Sequence, residues 1–101
     1  MKMLMVLGLH EDETRITEIL KEAGVTIYSR FNTTGSVGND KVALSDEWFA
    51  ATAGQANSIA YFSFVEDQRA ANALALIKKV NDDNQTQNAI HGFIVPVEAE
   101  F

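Results

Sequence analysis

Apolar positions along this chain fall into four short runs, joined in pairs by two stretches of helical spacing. Met3–Leu9 is apolar on both sides of a two-residue repeat, and His10-Glu11-Asp12 follows it directly. Ile16, Ile19, Leu20 and Ala23 then recur at the i, i+3, i+4, i+7 spacing of one buried helical stripe. Asp12 is placed to cap that helix with its carboxylate, and Gly24 to end it. Val25–Phe31 alternates, with Val25, Ile27, Ser29 and Phe31 on one side and Thr26, Tyr28 and Arg30 on the other. That predicts a strand with one buried face, able to continue toward Val37. The arrangement then recurs. Ile59–Val65 is apolar on both faces, Glu66-Asp67 opens a helix, and Ala70, Ala73, Leu74, Ile77 and Val80 form its stripe to about Val80. After the polar residues Asn81–Asn88, Ala89–Val97 reads as a last strand, with Pro96 near its end where a missing donor does least harm.

Strand, acidic corner, helix, strand, given twice, predicts a split βαβ domain. The fold class is α+β, ferredoxin-like βαββαβ: a four-stranded antiparallel sheet with two helices on one face. Two helices cover one face of such a sheet, yet the first and third strands are apolar on both. The second face must therefore meet something apolar, and self-association fits better than the middle segment folding back over it.

The two halves are separated by residues 35–57, with Gly35, Gly38 and Gly54 and an aromatic pair, Trp48-Phe49. Ser45–Thr52 could form a helical turn or two. A connection of this length is uncommon in a compact domain unless it binds something, and Trp48 and Phe49 are the side chains best suited to contact a partner.

At 101 residues the chain is expected to be one domain, 1–101. A net charge of −6 and eight scattered Lys and Arg residues argue against nucleic acid. The absence of cysteine excludes a thiolate metal site and a disulfide framework. No run approaches a membrane span, so a cytoplasmic protein without direct membrane insertion is expected.

In order and spacing the whole chain resembles the PII signal-transduction proteins and their PII-like relatives. The resemblance rests on Met3–Leu9 with its turn and helix to Gly24, on Val25-Thr26-Ile27, on Ile59–Val65 with Glu66-Asp67, and on Gly92-Phe93-Ile94-Val95-Pro96-Val97-Glu98. It implies a homotrimer whose sheets face a central axis, and a loop between strands two and three (the T-loop) that touches a regulated protein, a membrane transporter among the candidates. It also implies ligand sites between subunits, near the loop base and the turn before strand four. The chain departs from the family's nucleotide-binding pattern. Asp82-Asp83-Asn84-Gln85-Thr86-Gln87-Asn88 holds no glycine and no lysine, no base follows strand four, and no tyrosine lies between Phe31 and Ala60.

Candidate chemistry is correspondingly sparse. Thr33, Thr34, Gly35, Ser36 and Gly38 could wrap a small ligand with hydroxyls and amides, assisted by Arg30 and Lys41; the phosphate-binding lysine motif is missing. Strands one and four are antiparallel neighbours in this topology, which brings His10 and His91, with Glu11, to one end of the sheet. Two imidazoles and a carboxylate suit a divalent transition metal. No nucleophile–base set stands out, so catalysis is not expected. The expected function is a PII-like regulator that senses a small ligand, an adenine nucleotide among the candidates. The alternative is a metal-binding or metal-tolerance protein of the same trimeric fold.

Overall fold

The computed structural model describes residues 1–36, 55–84 and 89–101. Its elements are β1 (Lys2–Leu9), a 3₁₀ turn (His10–Asp12), α1 (Glu13–Glu22), β2 (Ser29–Ser36), β3 (Gln55–Val65), α2 (Asp67–Asn84) and β4 (His91–Pro96). The four strands form one sheet in the order β2-β3-β1-β4, with every neighbouring pair antiparallel. This is the expected ferredoxin-like α+β architecture.

Strand parity assigns each residue to a face. Leu4, Val6, Ile59 and Tyr61 lie on the helix side, where with Ile16, Ile19, Leu20, Ala73 and Ile77 they form the main core. The anticipated stripes on both helices are buried: Ile16, Ile19 and Leu20 on α1 with Ala23 just past its end, Ala70 and Ala73 on α2. Alanines let α2 approach closely, and Gly92 completes that fit. A Cβ on Gly92 would come within 2.6 Å of Leu74 and 2.7 Å of Ile77. Gly24 has φ +84, a conformation that favours glycine, and it ends α1 as anticipated.

Several boundaries differ from the sequence expectation. β2 begins at Ser29, not Val25, and Ile27 is 84% exposed, so the alternation from Val25 does not bury one face. The reason lies on β3. The Ser63 hydroxyl donates to the Ile27 carbonyl, replacing a backbone ladder bond. Strand pairing reaches Ser36 opposite Gln55, so Gly35 and Ser36 belong to β2 and residues 55–57 to β3. α2 continues through the polar run to Asn84. Asp12 occupies the cap position of α1, but its Oδ2 accepts backward, from the Leu9 N–H at 3.2 Å, and no side-chain bond enters the helix.

Candidate functional site

The face away from the helices is largely apolar, and each of the four strands contributes apolar side chains to it. One row of the register runs Phe31, Ala60, Leu7, His91; the next runs Ser29, Phe62, Met5, Phe93; a third holds Phe64, Met3 and Val95. Leu7 and Ala60 are buried by their neighbours. Phe31, Phe64, Phe93 and Val95 remain 40–54% exposed. Phe62 stacks edge-on with both Phe31 and Phe64, at ring-centroid distances of 6.0 and 6.2 Å. Among the described strand positions, His91 is the sole ionisable side chain on this face. Burial holds its pKa below the ordinary imidazole value.

A second feature is an open cavity of about 450 Å³ where α2 ends and β4 begins, lined by Leu74, Ile77, Lys78, Asn81, Asp82, Ile90, His91 and Gly92. Asn81 holds its rim: the side-chain amide donates to the Ile90 carbonyl at 2.9 Å, and its oxygen accepts from the Ile90 N–H at 3.0 Å. Lys78 donates to Asp82 at 3.0 Å. Asp82, the first residue of the run without glycine or lysine, thus has a cation beside it. Sequence reasoning missed Asn81 and Lys78, because neither belongs to a motif: Asn81 acts through a strand nine positions away, and Lys78 matters only because the helix continues past it.

Arg30 is on β2 on the helix side, and it is engaged: Nη1 donates to Glu13 Oε1 at 2.8 Å. That carboxylate raises the guanidinium pKa, with the Tyr61 hydroxyl contributing. The Tyr61 hydroxyl is buried and has no hydrogen bond of good geometry, although the guanidinium is close enough to act on it. Burial raises the Tyr61 pKa, and Arg30 works against that rise.

Thr33, Thr34, Gly35 and Ser36 lie on β2, paired with Ser58, Asn57, Ala56 and Gln55. The loop base is thus a two-stranded ribbon. Gly38, Lys41, Trp48 and Phe49 lie outside the described residues. His10 and Glu11 are exposed in the 3₁₀ turn, while His91 pairs across β1 with Leu7. Among the described residues, no group of three or more His, Asp or Glu side chains is placed to hold a metal ion. No described helix is long and apolar enough to cross a membrane.

The sheet order and the helix placement have counterparts among solved structures. One is CPII, a nitrogen regulatory PII-like protein from Thiomonas intermedia K12, bound to ADP, AMP and bicarbonate. It superposes with a TM-score of 0.62 at 14% identity, covering 99% of this chain and 94% of that one. The chain has the PII-like fold. A protein from Thermus thermophilus, assigned as a PII-like signaling protein, gives 0.53 at 16% identity over 92% of this chain and 82% of its own. No family model and no curated protein matches the sequence.

Proposed function

We propose that this protein is a PII-like regulator: a cytoplasmic homotrimer, not an enzyme, that senses a small ligand and acts on a partner protein through the segment between β2 and β3. The observation that carries the reading is the PII-like fold shared with a nucleotide-bound protein, joined to an open sheet face to which every strand contributes apolar side chains. Four strands at about 4.8 Å spacing and several residues deep make a patch of several hundred square ångströms, which is interface size rather than ordinary surface. An adenine nucleotide is the first ligand class to test. With the site in a cleft between subunits, the proposed polar groups are Lys78 and Asn81 of one copy and the ribbon Thr33–Ser36 of its neighbour, with Gly38 and Lys41 as further candidates. Trp48 and Phe49 are the candidate partner contacts, and a membrane transporter is one class of partner. A ligand changes the segment's presentation only through different affinity for its two states.

Thermal melts with AMP, ADP and ATP, each with and without bicarbonate, test the reading. Binding to the folded state raises the melting temperature by mass action. A rise with an adenine nucleotide is expected; no shift with any of them contradicts the proposal. The metal reading, through His10, His91 and Glu11, needs ligands from more than one chain, since the described protomer gathers no three-ligand group. Zn, Cu, Ni and Co in the same assay decide it.

A further inference from the structure

Three features where α2 meets β4 set how much negative charge the bordering cavity accepts. The first is the end of the helix. The last turn of α2 contains Asp82 and Asp83 and no basic residue. The final carbonyls of a helix have no intrahelical partner, and with the macrodipole they make that end negative. Lys78, one turn back, lines the cavity, but it donates to Asp82 at 3.0 Å, so its charge is already matched. Asp83 is exposed and has no ion pair among the described residues.

The second feature is the backbone. A turn that cradles phosphate directs several N–H groups at one anion. Where this connection enters β4, the Ile90 N–H is already taken: Asn81 Oδ1 accepts it at 3.0 Å, and Asn81 Nδ2 donates to the Ile90 carbonyl at 2.9 Å. The third feature is the sequence itself. Residues 82–90 contain no glycine, lysine or arginine, so they supply neither a cation nor the backbone freedom of a glycine turn. What remains of the cavity wall is largely apolar, with Leu74, Ile77, Ile90 and Gly92.

We propose that the α2–β4 join makes this protein select adenine nucleotides with few phosphates. Adenosine and AMP bind more tightly than ADP, and ADP more tightly than ATP. The apolar wall accepts a base or ribose face. Each further phosphate adds negative charge near the helix end, Asp82 and Asp83, where Lys78 is committed and the Ile90 amide is occupied. Because both aspartates are exposed, the discrimination weakens as salt rises. The inference rests on the adenine-nucleotide reading above and adds to it the order of affinities and the residues that set it.

Calorimetric titration of the full-length protein with adenosine, AMP, ADP and ATP, without magnesium and at low ionic strength, tests it. The dissociation constant is expected to rise several-fold from AMP to ADP and again to ATP, with a smaller rise at high salt. The double variant Asp82→Asn, Asp83→Asn should tighten ADP and ATP several-fold and leave adenosine unchanged, which also reports that the cavity is intact. Asp83→Asn alone keeps the Lys78 pair and should give the same change at reduced size. ATP binding as tightly as AMP to the parent protein overturns the inference. So does a double variant that shifts all four ligands alike, or none of them. Binding in the wrong order leaves the nucleotide reading standing; no binding of any of the four removes both.

Discussion

At the scale of single residues, Tyr61 and Gly92 show what the core demands. The Tyr61 ring packs edge-on against Tyr28 with centroids 5.6 Å apart, while its hydroxyl is buried without a well-formed hydrogen bond. Removing a buried polar atom that has no good partner costs little. Tyr61→Phe is therefore expected to leave the urea midpoint at pH 8 unchanged or raised. Its pH dependence carries more information. Burial raises the Tyr61 pKa above the value of 10.0 expected of a free tyrosine, so the folded state holds this proton more tightly than the unfolded chain does. The corresponding stability is present below about pH 10 and is lost as pH rises through the folded value. Tyr61→Phe should lose less stability between pH 9 and pH 11 than the parent; an equal or larger loss contradicts the assignment. At Gly92 the opposite rule applies, because α2 leaves no room for a side chain. Gly92→Val should cost about 1–3 kcal/mol through overpacking, read as a lower melting temperature.

At the scale of elements, the join between α2 and β4 depends on Asn81, whose side-chain amide reproduces the pairing of a strand neighbour at Ile90. Asn81→Ala leaves both backbone groups of Ile90 without that partner. The expected cost is about 1–3 kcal/mol, with faster amide exchange at His91 and Gly92 and weaker binding of any ligand held in the adjoining cavity. Unchanged exchange there would show that β4 is positioned by packing alone. This join also marks where the sequence stopped being legible. Both helical stripes, the glycine stop at Gly24 and the four strands were readable, because periodicity records which side of an element is buried. Asn81-Asp82-Asp83-Asn84 reads as a loop, because the contacts made there, Lys78 with Asp82 and Asn81 with Ile90, are specified by geometry and not by pattern. The start of β2 was misplaced for the same reason: Ser63, far along the chain, takes the Ile27 carbonyl. Arg30, by sequence a cation that could assist a ligand, is already held by Glu13 at the start of α1.

At the scale of the whole molecule, the open face was inferred from two strands apolar on both sides, and the register extends it across all four. Phe93 lies near its middle and is 40% exposed in the protomer. Phe93→Glu should leave the fold intact and abolish assembly, because burying a carboxylate between copies is costly on a face where, among the described strand positions, only His91 is ionisable. A folded monomer by light scattering and circular dichroism is the expected outcome, and an undiminished oligomer would place the interface elsewhere. The most direct test of the account is native mass spectrometry of the full chain with ADP, which counts subunits and bound nucleotides together. The account predicts a particle of three times the 11.1 kDa chain mass, carrying ADP. A particle of one chain, or three chains with no nucleotide at saturating ADP, would contradict it.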